Sequence, residues 1–379
     1  MSANKEEYSI GNQPADPSGK KIQKREKDMS KKHATIHDVA KRAGVSIATV
    51  SRALSGGSVA AETRERVEAA VRELDYRQSG IRSVMRTGGK KCIGLVISSQ
   101  ESPYYASMCE GITAEAARNG YQVLTLNYPD GTSIGTITED LLELNPAGAL
   151  LAGYMVENSN EQDKIVACLK RIQQAMPLVA IGPPIPGIEC ARLTADPSQC
   201  VRKAINHLVT LGHRRIAFVG GDGQARFSTI RENAYYEEIR RFGCREDPAY
   251  VALTGTNAHA GELGIDIMLG NLKREDYPTA VFTINDLVAL GAMRQLNRMG
   301  MKIPEDIAIV GCDNAFFTPY LTPSLTTVDL RPYEHGCSAI AELIMSINAG
   351  HPITFSQSFE SNLIVRESCG ASLGMRVFP

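Results

Sequence analysis

Nowhere among its 379 residues does the chain hold an apolar run near the roughly 18 residues that would cross a bilayer. Its N-terminus, with Lys5, Glu6, Glu7 and no apolar block, lacks the pattern of a secretory leader. A membrane or exported protein is therefore not expected, and the cytoplasm is the expected compartment. The nine cysteines, scattered from Cys92 to Cys369, include no CxxC pair and no histidine at metal-ligand spacing, which argues against a disulfide framework and a zinc site. Most of them fit as small buried hydrophobes. There is no Gly-Lys-Ser/Thr phosphate loop. The glycine-rich stretch Gly221-Asp-Gly223-Gln-Ala-Arg226 puts Arg226 where a dinucleotide fingerprint needs its third glycine, so it reads as a loop bordering a cleft. No cofactor, no metal and no catalytic residue is expected.

What is present is globular: 43% hydrophobic and 22% charged residues. At roughly 100 to 200 residues per domain, the length accommodates two or three packed units. The formal net charge of -1 hides a division. Residues 1–90 carry 18 Lys and Arg against 11 Asp and Glu, a net +7, while residues 91–379 carry 23 against 31, a net -8. A basic front on an acidic body fits a front that meets a polyanion; a solubilising tail is the plainer reading of the same charge.

Residues 1–33 hold Gly11, Pro14, Pro17 and Gly19, then Lys20, Lys21, Lys24, Arg25, Lys27, Lys31 and Lys32, with little to bury. A disordered basic tail is expected there. Met29 stands just before the patterned region, and a translation start at that residue, with residues 1–28 not native, is a second reading.

Residues 34–76 contain three short helical patterns. Thr35 can cap a helix whose apolar positions Ile36, Val39, Ala40 and Ala43 follow the 3.6-residue period. Gly44 ends it at a turn that tolerates positive φ. Ser46 caps a second helix carrying Ile47, Val50, Ala53 and Leu54. A third runs from about Ala61 to Leu74 with Val67, Ala70, Val71 and Leu74 inward. Small Ala40 lets the first two helices approach, and Val45 and Val50 fill their shared core, which is the geometry of a helix-turn-helix with a supporting helix.

Beyond residue 90, short apolar runs at 93–97, 123–126, 148–151, 178–181, 216–219, 280–282 and 307–310 alternate with helical segments. That rhythm predicts an α/β body of two doubly wound, parallel-sheet lobes, with a ligand cleft between the carboxyl ends of their strands.

The segment Thr35-Ile-His-Asp-Val-Ala-Lys-Arg-Ala-Gly-Val-Ser-Ile-Ala-Thr-Val-Ser-Arg-Ala-Leu54 closely resembles the helix-turn-helix of the LacI/GalR family of bacterial transcription regulators. Residues 59–76 resemble that family's third helix and closing tyrosine. The body carries similar signatures at Leu208–Gly221, Pro278–Phe282, Asn285-Asp286, Val310–Asp313 and Leu321–Thr327, so the resemblance spans nearly everything after residue 33. It implies a periplasmic-binding-protein-like body. The implied organisation is a head over 34–76, a hinge helix and linker over 77–90, and an effector-binding and dimerisation domain over 91–379. Lobe 1 of that domain is expected at about 91–191 and 330–347, and lobe 2 at about 192–329 and 348–379.

The same resemblance assigns roles. Ile47, Ala48 and Arg52 would face base edges, Ser46, Thr49 and Ser51 would lie toward phosphates, and Thr35, Thr63 and Tyr76 would join the DNA-contacting set. An arginine such as Arg52 can donate two hydrogen bonds to guanine in the major groove. Met85 occupies the position of an apolar wedge that enters the minor groove. Gln78, Gly80 and Arg82 depart from the family's usual hinge, and Gly80 costs roughly 1 kcal/mol of helix propensity against alanine, so a weaker hinge is expected. In the cleft, Tyr104, Tyr105, Arg231, Asn285 and Asp313 would contact a small effector, which the resemblance suggests is a carbohydrate. Leu330 stands where the family often has glutamine.

The function implied is a homodimeric repressor on a palindromic double-stranded operator, nucleoid-associated when bound and controlled by the effector. Helices near 104–118 and 286–299 would supply the dimer contact. A solute-binding protein or a sugar-processing enzyme built on the same body are the alternatives.

Overall fold

The computed structural model describes residues 36–54, 57–74, 91–98, 101–128, 132–152, 162–182, 187–188, 190–194, 196–223, 226–351 and 356–371. Thr35, Tyr76, Met85, the tail over 1–33 and the hinge over 77–90 lie outside the described residues. The chain divides into two compact units, Met1–Thr87 and Gly88–Pro379.

In the first unit, Ile36–Ala43 (α1), Ile47–Leu54 (α2) and Ala61–Glu73 (α3) close on one cluster. Its buried members, Val39, Ala40, Ala43, Val50, Ala53, Val67 and Ala70, are all valine or alanine, which lets three short helices approach closely. Gly44 takes φ +65°, and the Val45 amide donates to the Ala40 carbonyl at 3.1 Å, closing the turn. Arg64 of α3 donates to the carbonyls of Ala53 and Gly57 at 2.9 and 2.8 Å. The Ala53 carbonyl lies in the last turn of α2, where a helix leaves its carbonyls without intrahelical partners.

The second unit holds two sheets of six strands. Cys92–Ile97 (β1), Pro103–Arg118 (α4), Gln122–Asn127 (β2), Ile134–Leu144 (α5), Gly148–Ala152 (β3), Gln162–Ala175 (α6), Leu178–Ile181 (β4) and Ala191–Thr194 (β5) begin lobe 1. Lobe 2 follows as Pro197–Thr210 (α7), Ile216–Val219 (β6), Arg226–Arg241 (α8), Val251–Ala252 (β7), Ala258–Gly270 (α9), Ala280–Thr283 (β8), Asp286–Arg298 (α10), Ala308–Cys312 (β9) and Thr326–Asp329 (β10). Pro332–Ala349 (α11) and Ser356–Ser358 (β11) return to lobe 1, and Asn362–Ile364 (β12) ends in lobe 2. The strand orders are β11-β5-β4-β3-β1-β2 and β12-β10-β9-β8-β6-β7.

Each sheet reverses direction of winding once, between β1 and β3 and between β6 and β8. Loops diverge there and leave a crevice at the carboxyl ends of the strands. Almost every strand residue facing a core is buried valine, isoleucine, leucine, alanine or phenylalanine, as parallel sheets covered on both faces require.

Two expectations need correction. The lobe boundaries at 191/192 and 347/348 lie too early: β5 pairs with β4, and β11 pairs with β5, so both strands belong to lobe 1. The chain therefore crosses between lobes at about 195, 330 and 360. The second sheet is also not wholly parallel, because β12 pairs antiparallel with β10.

Candidate functional site

The head presents α2 outward. Ile47 is 40% exposed, while Val50 and Ala53 of the same helix are buried. Ala48 and Arg52 are exposed beside it, and Thr49 and Ser51 are half-buried. Ser46 caps the helix: its Oγ accepts the Thr49 amide at 3.1 Å and lies 2.8 Å from Thr49 Oγ1. Both hydroxyls are thus tied first to the helix start. Arg52 Nε reaches the Ala48 carbonyl at 3.4 Å, a long contact that leans the guanidinium along the helix surface. Thr63 is half-buried in the first turn of α3.

In the body, the expected ligand residues all follow strand ends. Tyr104 and Tyr105 open α4 directly after β1, with ring centroids 5.4 Å apart and nearly perpendicular. Tyr104 packs against the cores of both lobes, and Tyr105 against that of lobe 1. Arg231 lies on α8 after β6, 6% exposed; its Nη1 donates to the Ile284 carbonyl at 2.5 Å, and its Cζ stands 5.7 Å from the Phe227 ring centroid. Asp313 follows β9 at φ +115°, half-buried. Burial pushes its carboxyl up to about 7 even though the Arg231 charge draws it down. A buried guanidinium and a carboxyl poised between its two forms therefore share the floor of lobe 2.

Asn285 is placed differently from the others. Its Oδ1 accepts the Val288 amide at 2.9 Å as the cap of α10, and its Nδ2 donates to the Thr256 carbonyl at 2.8 Å. Each end of the amide makes one bond to the fold, which fixes its orientation and leaves one N–H and one lone pair over. Leu330, 5% exposed, belongs to the core of lobe 2.

The residues that hold Asp313 in place were not foreseen. Asp313 and Asn314 are consecutive non-glycine residues at positive φ, a strained pair that needs surrounding bonds to persist. The Asp313 amide donates to the Val328 carbonyl at 2.8 Å. Asn314 donates from Nδ2 to Asp329 at 3.2 Å and accepts from Arg366 Nη2 at 2.9 Å. Asp286 accepts from the Ala315 amide and the Thr327 hydroxyl, both at 2.7 Å. Burial raises the Asp286 carboxyl well above its ordinary range, with the nearby Asp313 adding to the rise. Arg366 lies far along the chain from Asn314, and no local pattern marks it.

Neither enzyme-like spacing builds a reactive site. Gly220 and Gly221 donate their amides to the carbonyls of Ala252 and Gly255 at 2.9 and 2.6 Å, so the glycine loop spends its amides on the fold. Gly370-Ala-Ser-Leu-Gly374, missed in the sequence, has the spacing of a nucleophile elbow. An elbow requires the strand to run directly into its serine, but β12 ends at Ile364 and a turn follows. Ser372 lies outside the described residues.

A helix-turn-helix head on a two-lobed body, with an arginine and an acid at the strand ends of the cleft, defines a ligand-responsive DNA-binding regulator. Residues 35–79 match the model of bacterial regulatory proteins of the lacI family, and residues 205–369 match that of the periplasmic binding protein-like domain. The HTH-type transcriptional repressor CytR of Escherichia coli (strain K12) is 31% identical over 344 residues, covering 89% of this chain and 97% of that protein. The HTH-type transcriptional repressor PurR of Pasteurella multocida (strain Pm70) is 28% identical over 351 residues, covering 90% and 100%. The solved complex of the transcriptional regulator CelR with cellobiose is similar at a TM-score of 0.64 and 26% identity, covering 88% of this chain and 99% of that one. The chain belongs to the lacI family of bacterial regulatory proteins. It is a DNA-binding transcriptional repressor with an effector-binding body, not an enzyme.

Proposed function

We propose that this repressor grips a palindromic operator as a homodimer in the cytoplasm, associated with the nucleoid while bound. A small polyhydroxyl molecule, a sugar or a derivative of one, resets that grip from the cleft. The observation that carries the ligand class is the Arg231 and Asp313 pair at the cleft floor, with Tyr104 packed against both lobes. A fixed donor, an acid that accepts from hydroxyls and a flat aromatic wall suit vicinal hydroxyls on a ring. The cellobiose bound to CelR is in keeping with this class.

Ile47, Ala48 and Arg52 read base edges, with Thr35, Ser46, Thr49, Ser51, Thr63 and Tyr76 along the phosphates and Met85 as the minor-groove wedge. Two-fold protein symmetry imposes two-fold operator symmetry. For the dimer contact, α10 and the loop after β9 offer a groove of about 490 Å³ lined by Leu290, Met293 and Leu321 together with Arg294, Asn297 and Arg298. The same loop leaves Phe316 and Tyr320 more than three-quarters exposed.

A thermal-shift screen against monosaccharides, disaccharides and nucleosides tests the ligand class. At least one should raise the melting temperature of the wild-type chain, and Arg231→Gln should abolish that rise while the unliganded protein still melts cooperatively. A response that survives in Arg231→Gln contradicts the cleft assignment.

A further inference from the structure

The segment that carries Asp313 leaves β9 through two residues at positive φ, Asp313 and Asn314, and returns as β10 at Thr326. Within it, the Thr318 amide donates to the Ala315 carbonyl and the Leu325 amide to the Thr318 carbonyl, both at 2.9 Å, which folds the segment back on itself. One guanidinium from elsewhere in the chain reaches its start, its middle and its end. Arg366, half-buried two residues beyond β12, donates from Nη2 to the Asn314 side-chain oxygen at 2.9 Å. Its Nη1 donates to the Thr318 hydroxyl at 3.1 Å and to the Leu325 carbonyl at 2.7 Å. The Arg366 amide adds a bond to Thr326 Oγ1 at 2.8 Å.

The neighbouring anchors act at other points. Glu367 accepts from the amide and the hydroxyl of Ser324 at 2.8 and 2.9 Å, near the far end of the segment. Asp286 takes the Ala315 amide and lies so close to β9 that a Cβ at Gly311 would fall 2.2 Å from its Oδ1. The side chain next to Asp313 is that of Asn314, held by Arg366 on its oxygen and by Asp329 on its nitrogen. Consecutive non-glycine residues at positive φ persist only while such bonds outweigh the backbone strain, so releasing Asn314 lets Asp313 turn. An arginine suits this task because its planar fork offers several donors in fixed directions, where a lysine has one point of charge.

We propose that Arg366 is a positioning residue of the effector cleft, acting through Asn314 to fix the direction in which the Asp313 carboxyl meets a ligand. The consequence for ligand rests on the cleft reading above; the positioning itself is a property of the free protein.

Full-length wild type, Arg366→Gln, Arg366→Lys, Asn314→Gly and Glu367→Gln are compared first by hydrogen–deuterium exchange. In Arg366→Gln the amides of residues 313–318 should exchange at least about tenfold faster while those of β9 keep the wild-type rate. Unchanged exchange over 313–318 overturns the positioning. Asn314→Gly tolerates the positive φ and removes only the side chain, so it reports on the same link should Arg366→Gln fail to fold.

The same proteins are then titrated with ribose, cellobiose and purine and pyrimidine nucleosides. For any of these that the wild type binds, affinity should fall about tenfold in Arg366→Gln and Asn314→Gly and recover in part in Arg366→Lys. Glu367→Gln should stay within about twofold of wild type, even where it melts lower. In an Asp313→Asn background, adding Arg366→Gln should cost little more, because the group it positions is already gone. A merely structural role predicts the opposite: the same tenfold loss in that background, and a comparable loss in Glu367→Gln. Either result overturns the assignment. If the wild type binds none of the probes, the effector reading fails instead, and exchange over 313–318 alone decides what Arg366 does.

Discussion

Arg52 and Ile47 leave the head on its solvent side for different reasons. Arg52 is exposed because its charge requires water or an anion, whereas Ile47 is an exposed β-branched hydrophobe that stands outside the valine and alanine core. Arg52→Ala should cost roughly 1 to 3 kcal/mol of operator affinity and relax discrimination at one base position. Equal losses on operator and random DNA, measured by fluorescence anisotropy, would mean that Arg52 only neutralises phosphate.

Asp313 gives a pH signature. Its carboxyl sits at about 7 in the folded chain against an ordinary 3.8, so the folded state holds this proton more tightly than the unfolded state. The resulting contribution to stability is fully present at low pH and is lost as pH rises through about 7. Asp313→Asn should remove that part of the slope, read as the difference between the two melting-temperature profiles. Ligand affinity moves the opposite way, rising through the same window as the carboxylate forms and accepts hydroxyls. Parallel profiles for the two proteins would show that Asp313 does not titrate there.

At the scale of elements, glycines set the helix packing. A Cβ at Gly291 of α10 would fall 1.7 Å from the Ala258 carbonyl oxygen, and one at Gly261 of α9 would fall 2.0 Å from that of Val288. The two helices meet backbone to backbone, and nothing flexible can yield. Gly291→Ala should destabilise by about 1 to 3 kcal/mol. Gly270→Ala, at the open end of α9 with nothing within 4 Å, should be nearly neutral. Thermal unfolding of the pair checks this, and equal melting temperatures would contradict the packing.

The readable elements were those whose burial leaves a periodic trace, such as Ile216–Val219 or the alternation of Val39, Ala40 and Ala43. Ser356–Ser358 reads Ser-Gln-Ser and Ala191–Thr194 includes Arg192, so these two strands carry no apolar run and the lobe boundaries drifted. In the proposed site, Tyr104, Arg231 and Asp313 came from the family resemblance, and the structure places them after β1, β6 and β9. The capping use of Asn285 and the clamp of Arg366, Asn314 and Asp329 were not legible, since both depend on contacts between segments distant in sequence.

Over the whole molecule, charge and architecture divide the work. Net +7 over residues 1–90 suits a front that meets a duplex, and net -8 over residues 91–379 gives the body the opposite sign. Three chain crossings near 195, 330 and 360 join the lobes, and the Arg366, Asn314 and Asp329 clamp lies beside two of them. The most direct measurement is a titration of the full-length protein on fragments of its own genome at low ionic strength, with and without the ligand found by thermal shift. Selective retention of at least one fragment, with an affinity that moves about 5- to 150-fold at saturating ligand, is the predicted result. Superimposable isotherms, or no retention of any fragment, would contradict it.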